Sequence, residues 1–381
     1  MMKRSMQHGF SLVEMMIAMT IGLMITAGLV TIFANTSNSQ QEMRRASQQI
    51  ENGRYAMDVL SQDLQVTGYY GSFRKITAPA TAPDPCSLLL TDLQGSINLP
   101  VQVYNAASLA ATPSLPASCS AYLPASNLSP GSDIVVVRRG DTQYVAIGTA
   151  TPAGQVYGQA NPSTIDIHLG GGTTTCTSRA DGAAATVTRR LQYPATTDIC
   201  NGTASPAGYI RQYHVHVYFV APCTIPSTGT LCDSAADGGN PIPTLKRLEL
   251  TATGGVTAFK TTNISEGVEF LKLAYGIDDT PNTVNSDTGL IGDGSPDRYS
   301  LAPSLVDMSN IVTARIDMLV RNPEPSAGFT DTKTYALGVD PVVNTNPSVT
   351  IPATILNQAY RRHVYSAEIR LVNLSSRKEI P

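Results

Sequence analysis

The fold is decided by the stretch that begins with Gly9-Phe10-Ser11-Leu12-Val13-Glu14 and runs to about Val66. From Phe10 to Phe33 the residues are apolar, small or hydroxylic, and Glu14 is the only charged one. At a rise of 1.5 Å per residue, roughly 24 helical residues span about 36 Å, more than the roughly 30 Å of a hydrocarbon core. This segment is therefore predicted to be a membrane-spanning helix.

The order of segments differs from that of an ordinary secretory signal peptide, in which the cleavage site follows the apolar segment. Here a basic head with Lys3 and Arg4 comes first, and a plausible processing site between Gly9 and Phe10 precedes the apolar segment. Cleavage there would leave the apolar helix on the mature chain. A plain signal anchor is the alternative.

The hexapeptide Gly9 to Glu14, placed next to a long apolar segment, resembles the class III leader of type IV pilins and type II secretion pseudopilins. The resemblance implies that a prepilin peptidase cuts after Gly9 and N-methylates Phe10, and that Glu14 directs assembly. The alternative for Glu14 is a carboxylate tolerated at the end of the helix near the headgroups.

Beyond the apolar segment, a second periodic pattern predicts that the helix continues to about Val66. Its small and apolar residues recur at spacings of three and four and share one face: Met43, Ala46, Ile50, Gly53, Met57, Leu60 and Leu64. The charged residues are expected on the other faces: Glu42, Arg44, Arg45, Glu51, Arg54, Asp58 and Asp63. The stripe should pack against the rest of the chain, and a free coiled coil is the alternative.

Three runs resemble PilW-type minor pilins. They are Gln49–Leu64 closed by Gly68-Tyr69-Tyr70-Gly71, Glu266–Asp278, and the strand with an arginine pair at Tyr360–Leu374. The resemblance implies a minor pilin that helps to prime type IV pilus assembly, in a tip complex with other minor pilins. A type II secretion pseudopilin similar to GspJ and a pilus-mounted adhesin are the alternatives.

Six cysteines lie beyond the apolar segment, on the side that a basic head would place outside the cytoplasm. An even count in an exported chain predicts three disulfides, and six cysteines allow 15 pairings. Pairs of sequence neighbours are expected: Cys86 with Cys119, Cys176 with Cys200, and Cys223 with Cys232. Zinc is the alternative, but the spacings contain no Cys-x-x-Cys.

The head should be rich in β-strands. Residues 72–132 are rich in proline and predict loops, whereas Asp133–Arg139 and Thr142–Ile147 predict a hairpin with Gly140-Asp141 as its turn. Further strands are expected at Thr164–Leu169, Tyr209–Val220, Thr244–Thr251, Val268–Tyr275, Ile311–Val320 and Tyr360–Leu374.

Two groups of residues could bind a metal. His214 and His216 share one face of a strand and could bind one ion, but a polar strand face explains them equally, and the sequence shows no carboxylate or third histidine nearby. A loop of alternating aspartates could bind Ca²⁺, although its spacing differs from an EF-hand and such residues also form ordinary turns. Its candidate ligands are Asp278, Asp279, Asp287, Asp293 and Asp297.

The sequence favours a structural role over catalysis. The formal charge of −3 gives no reason to expect nucleic acid as a partner. No nucleophile elbow, phosphate loop or His-Glu-x-x-His occurs, and four histidines lie in strand-like contexts without an evident nucleophile: His168, His214, His216 and His363. We therefore expect no enzyme activity and, calcium aside, no cofactor.

The predicted fold class is α+β and pilin-like: a long N-terminal helix packed on an antiparallel, disulfide-stapled β-rich head. The expected segments are a leader at 1–9, a transmembrane and assembly helix at 10–34, its amphipathic continuation at 35–70 and the head at 71–381. The resemblance implies the major pilin, other minor pilins, the prepilin peptidase and an inner-membrane assembly platform as partners. It also implies an inner-membrane protein with a periplasmic head that later reaches the pilus surface.

Overall fold

The computed structural model describes residues 11–146, 148–175, 178–184, 209–279, 292–338 and 349–378. Within these ranges the α-helices are α1 (Leu12–Gln65), α2 (Leu90–Ser96), α3 (Leu305–Met308) and α4 (Val372–Lys378). The strands are β1 (Val101–Tyr104), β2 (Ile134–Gly140), β3 (Val156–Ala160), β4 (Ile165–Leu169), β5 (Tyr209–Ala221), β6 (Thr244–Thr253), β7 (Val256–Glu266), β8 (Val268–Ile277), β9 (Arg298–Ser300), β10 (Ile311–Arg321), β11 (Tyr335–Leu337), β12 (Val349–Ile351) and β13 (Arg362–Arg370).

The chain divides into two compact units, Met1–Gln48 and Gln49–Pro381. In the first unit the described residues form the N-terminal part of α1, as the sequence predicted. An 18-residue window of α1 has a mean hydropathy of 2.2, so the helix is long and apolar enough to cross a membrane by length and composition. Thr20, Thr26 and Thr31 donate their hydroxyl hydrogens to backbone carbonyls four residues earlier, which satisfies these polar groups within the helix.

The second unit, which we call the head, contains antiparallel sheets. One has seven strands in the order β1-β2-β5-β3-β4, with β6 beside β5 and β7 beside β6. A second has the order β13-β10-β8-β9, and β11 pairs with β12. All of these strand pairs are antiparallel, which agrees with the predicted α+β class.

The C-terminal part of α1 packs into the main hydrophobic core of the head. Ala56, Leu60 and Leu64 are fully buried against residues from both larger sheets, among them Tyr218 of β5 and Ile316 of β10. The expected docking of an amphipathic helix is therefore present. Fully burying a side chain such as leucine contributes about 1.5–3 kcal/mol to stability, so this face stabilises the head substantially.

The buried face of α1 differs in phase from the predicted stripe. Ile50 remains 45% exposed, whereas Gln49 is buried and donates hydrogen bonds from Nε2 to the carbonyl oxygens of Val320 at 2.6 Å and Arg361 at 3.2 Å. Asp63, expected on a charged outer face, is also buried. Polar side chains occupy these positions because the sheets supply hydrogen-bond partners for them.

The opposite face of the seven-stranded sheet covers a second core. Val215, Val217 and Phe219 of β5 are buried there with Leu93 of α2. The proline-rich region 72–132 thus contributes α2, β1 and buried side chains, which its composition did not predict. The expected Cys86–Cys119 disulfide lies in this region, and Cys86 and Cys119 are both buried.

The predicted hairpin after Asp133 is wrong. Its first half is β2, but residues 142–146 form no strand. β2 pairs instead with β1 on one side and β5 on the other. A strand has two hydrogen-bonding edges, and both are occupied, so no edge is left for a hairpin partner.

The other predicted strands largely agree with the structure. β4, β5, β6, β8 and β10 coincide with the expected positions to within a few residues. Residues 360–374 were expected to form one strand but are divided between β13 and α4. The chain turns at Leu371, whose amide donates to the carbonyl of Val312 at 2.8 Å. The sequence missed β1, β3, β7, β9, β11 and β12.

Candidate functional site

Glu14 lies in the first turn of α1 and has a local hydrogen-bond partner. The amide of Ser11 donates to Glu14 Oε2 at 3.0 Å, and the amide of Val13 donates to Ser11 Oγ at 3.3 Å. This reciprocal arrangement resembles a capping box, which satisfies amides that have no partner within the helix. Glu14 is exposed, so its carboxylate can cap its own helix and still be approached from outside. The predicted cleavage site at Gly9 and Phe10 lies outside the described residues.

The helix that follows Glu14 presents a continuous apolar surface. Its large side chains between Leu12 and Phe33 are each 53–76% exposed. No charged residue occurs after Glu14 until Glu42. An apolar surface of this extent is typical of a segment that contacts lipid or other apolar helices.

A buried polar cluster joins α1 to the seven-stranded sheet around Asp63. Asp63 Oδ2 accepts hydrogen bonds from His216 Nδ1 at 2.5 Å and the Tyr218 hydroxyl at 3.0 Å, and Oδ1 accepts one from Arg139 Nε at 2.7 Å. Burial raises the pKa of Asp63, but His216 and Arg139 outweigh this effect and hold the pKa below its ordinary value. The carboxylate therefore remains ionised and anchors α1 to β2 and β5.

His214 and His216 lie on the face of β5 toward α1, and both are buried. Antiparallel pairing places Glu249 of β6 directly opposite His216, and His216 Nε2 lies 3.6 Å from Glu249 Oε1. His214 Nε2 lies 3.5 Å from Asp141 Oδ2. The sequence-based view that no carboxylate is nearby is therefore wrong, because strand register, which the sequence does not reveal, brings the carboxylates in.

The two histidines differ in their electrostatic surroundings. Burial, His216 and Arg139 lower the pKa of His214 to about 4. Burial also lowers the pKa of His216, but Asp63 and Glu249 outweigh it and raise that pKa above its ordinary value. The carboxylates thus favour positive charge at His216.

The aspartate loop is described in part, and Asp287 lies outside the described residues. Asp278 is buried, and its Oδ2 accepts a hydrogen bond from the amide of Gly294 at 2.8 Å. Lys378 Nζ lies 3.8 Å from the same oxygen and donates to the carbonyl of Asp278 at 2.8 Å. A buried lysine at this carboxylate competes with a bound cation.

The other described aspartates of this loop also have partners within the protein. Asp279 forms an ion pair with Arg298. Asp297 Oδ2 accepts a hydrogen bond from the amide of Asp279 at 2.8 Å, and Asp293 Oδ1 accepts one from the amide of Ser295 at 2.8 Å. In the described part of the loop, the aspartate carboxylates form ion pairs and hydrogen bonds with the protein itself. These contacts do not support a calcium site.

Two of the three expected disulfides are bonded, Cys86–Cys119 and Cys223–Cys232. Cys176 and Cys200 lie outside the described residues, so their pairing stays a prediction.

The two C-terminal runs that resemble PilW meet in the four-stranded sheet. β8 and β13 both flank β10. Arg362 of β13, whose side chain is fully buried, bonds both carboxylate oxygens of Glu269 of β8 at 2.5 and 3.0 Å, and Asp331 Oδ2 at 3.1 Å. The second arginine of the predicted pair is therefore a buried structural cross-link.

Two family models match the chain. One, described as Type IV Pilus-assembly protein W, matches residues 233–373, and the other, described as Prokaryotic N-terminal methylation motif, matches residues 4–30. Part of the chain is therefore similar to the PilW family, and its N-terminal region is similar to the methylation motif. Pilins are structural proteins that interact with other pilus components. The methylation motif and the apolar helix together indicate membrane anchoring.

A type IV-like pilin from Thermus thermophilus is similar among solved structures, at 10% sequence identity and a TM-score of 0.31. The match covers 87% of this chain and 97% of that chain. A superposition at this level is too weak to transfer structural detail or function. No curated protein matches the chain.

The region that matches the PilW family model contains β8, β10 and β13, and therefore the cross-link between Glu269 and Arg362. The sequence showed these strands as local motifs but not their contact. Asp63, Glu249 and the two histidines of β5 could not be grouped from the sequence, because they come from three distant segments and no spacing signal connects them.

Proposed function

We propose that this PilW-type protein is a minor pilin that helps to prime assembly of a type IV pilus, in a tip complex with other minor pilins. The observation that carries the proposal is the exposed apolar part of α1, in which Glu14 is the only charge before Glu42. Such a helix can rest in the membrane as a single subunit and can pack against equivalent helices in a filament.

Maturation forms part of the proposal. A prepilin peptidase would cut between Gly9 and Phe10 and methylate the new terminus, as the match to the methylation motif at residues 4–30 supports. The free amine of one subunit is then available to the Glu14 carboxylate of another. An attraction that exists only between subunits acts on docking and register rather than on membrane insertion.

The leader and the apolar helix also support a proposal for where the protein is located. Before assembly the protein would be held in the inner membrane with its head in the periplasm, where the disulfides of the head can form. After assembly it would lie on the pilus. Its partners would be the major pilin, other minor pilins and the inner-membrane assembly platform.

A deletion strain complemented with the intact chain tests the proposal. Sheared surface pili and secreted exoproteins should be quantified separately in the same cultures. We expect loss of surface pili with unchanged secretion, and recovery of pili on complementation. Loss of secretion with normal piliation would instead identify a type II secretion pseudopilin. Normal piliation combined with loss of surface attachment would identify a pilus-mounted adhesin.

A further inference from the structure

Three potential metal ligands converge on the face of β5 that is turned toward α1. His214 and His216 each offer a ring nitrogen, and Glu249 of β6 offers a carboxylate oxygen. These three atoms all lie within 4.8 Å of one another. The set consists of two imidazoles and one carboxylate from adjacent strands, and this donor combination suits a divalent transition metal such as zinc.

The hydrogen bond to Asp63 decides which nitrogen of His216 can bind. His216 Nδ1 lies 2.5 Å from Asp63 Oδ2, and an ionised carboxylate only accepts hydrogen bonds, so Nδ1 carries the hydrogen. In a neutral ring Nε2 then presents a lone pair. This nitrogen faces the Glu249 carboxylate, and two acceptors that face each other need a positive charge between them, either a proton or a metal ion.

The distance between these two atoms favours a metal ion. A charge-assisted N–H···O hydrogen bond is about 2.7–2.9 Å long, whereas Nε2 lies 3.6 Å from Glu249 Oε1. Two ligands of a tetrahedral zinc, with bonds of about 2.0–2.2 Å, lie roughly 3.3–3.6 Å apart. The observed separation corresponds to an edge of such a tetrahedron.

The ring nitrogens of His214 support the same interpretation. His214 is 9% exposed. Within the described residues, neither of its nitrogens makes a hydrogen bond, and His216 Nε2 makes none either. Buried polar atoms in native proteins are almost always satisfied, so one ring nitrogen of His214 and Nε2 of His216 are both available to a shared ligand.

We propose that His214, His216 and Glu249 bind a zinc-like divalent cation, with water completing the tetrahedron, and that Asp63 positions His216 for this role. Carboxylate–histidine–metal arrangements of this kind fix the orientation of the ring and make the ligand more basic. The proposal goes beyond the role of the protein as a pilin, because the ion would link β5 to β6 and, through Asp63, to α1.

The charges around the cluster are compatible with a cation. Three carboxylates face it, those of Asp63, Asp141 and Glu249, and two guanidiniums oppose them. If both histidines are neutral, these three carboxylates and two guanidiniums together carry one net negative charge, which favours a bound cation. Arg247 lies 2.9 Å from Glu249 Oε2, so Oε1 remains available to the metal. The Glu249 side chain is 27% exposed, which gives an ion a path from solvent.

The test uses the full chain, purified in detergent after export, stripped with chelator and then dialysed against zinc chloride. We expect about one zinc per chain by elemental analysis and a higher melting temperature with zinc than with chelator. Glu249→Gln and His214→Gln should each weaken zinc affinity by more than about tenfold. Glu249 is partly exposed, and glutamine keeps hydrogen-bonding groups at both positions, so these variants should still fold.

Two matched controls separate the site from its surroundings. Arg247→Gln breaks the same ion pair as Glu249→Gln but keeps all three ligands, so zinc binding should persist. His363→Gln removes an exposed histidine of β13 and should also leave binding unchanged. The proposal is overturned if the wild-type chain binds no zinc. It is equally overturned if Glu249→Gln and His214→Gln bind zinc as the wild type does, or if His363→Gln removes binding.

Discussion

Gly53 of α1 lies directly against the ring of Tyr365 of β13. A Cβ atom added at Gly53 would stand 2.3 Å from Tyr365 Cε2 and 2.5 Å from Cζ, far closer than two carbon atoms can approach. The Tyr365 hydroxyl also donates to the carbonyl of Gln49 at 3.4 Å. The absence of a side chain at Gly53 therefore allows α1 to approach the four-stranded sheet.

We predict that Gly53→Ala destabilises the protein. The gain in helix propensity, about 1 kcal/mol, is smaller than the cost of displacing a packed aromatic ring, about 1–3 kcal/mol. The free energy of unfolding should fall by up to about 2 kcal/mol, measured by denaturant titration of the full chain in detergent. Gly95→Ala in α2 is the matched control, since nothing lies within 4 Å of the added Cβ, and it should not be destabilised. Equal losses in both variants would contradict the steric explanation.

The two described disulfides should differ in their contribution to stability. Cys86–Cys119 joins residues 33 apart and Cys223–Cys232 joins residues 9 apart. Loop-closure entropy gives about 4 kcal/mol for the longer loop and about 3 kcal/mol for the shorter one. Replacing each pair by alanine should therefore lower the free energy of unfolding more for the first, by about 1 kcal/mol.

Peptide mass spectrometry of periplasmic protein should also find the third expected pair, Cys176–Cys200. Six free thiols in such material would refute the disulfide assignment as a whole.

Asp331 should add an acid-sensitive component to stability. Burial raises its pKa, but hydrogen bonds from the Lys333 amide, the Tyr335 hydroxyl and Arg362 outweigh it and hold the pKa below the ordinary 3.8. Because the folded pKa is the lower one, the contribution is present above pH 3.8 and is lost as the pH falls through the lowered value. Asp331→Asn should melt at a lower temperature than the wild type near pH 7.

The difference in melting temperature between the wild type and Asp331→Asn should shrink as the pH falls below 3.8 and through the lowered pKa of Asp331, below which both side chains are uncharged. Asp58→Asn, at an exposed position of α1, is the control and should follow the wild type throughout. A constant difference between Asp331→Asn and the wild type across the pH range would show that the aspartate charge contributes nothing.

Local patterns predicted those parts of the fold that depend on sequence neighbours. The extent of α1, the alternation along β5 and the two described disulfides were confirmed, although the buried face of α1 is shifted from the predicted stripe. Features that depend on distant contacts were missed. The hairpin after Gly140 failed because β1 and β5 occupy both edges of β2.

The candidate site in the head could not be predicted for the same reason, because it depends on contacts between distant segments. Asp63 looked like a surface residue because charge predicts exposure, yet Arg139, His216 and Tyr218 compensate its burial. Glu249 reaches His216 only through strand register. A single sequence contains no signal for such pairings, whereas the leader motif is contiguous and could be recognised directly.

The last prediction separates two roles for Glu14, that of a helix cap and that of a charge needed in assembly. Glu14 Oε2 accepts the amide hydrogen of Ser11 at 3.0 Å, so a cap role predicts that glutamine, which keeps an acceptor oxygen, is tolerated. In a filament, however, neighbouring apolar helices would enclose the carboxylate, and an unpaired charge there costs several kcal/mol. A positive partner on an adjacent subunit is then required.

We therefore expect Glu14→Gln and Glu14→Leu both to be inserted and cleaved normally, and neither to be recovered from sheared pili, because both lose the charge. Ser11→Ala removes the hydrogen bond from Val13 to the Ser11 hydroxyl but keeps Glu14, and it should assemble. Gly9→Leu serves as the processing control and should retain its leader. If Glu14→Gln reaches the pilus at the wild-type level while Glu14→Leu does not, Glu14 acts as a cap. If both variants reach it, the carboxylate is merely tolerated at the end of the helix.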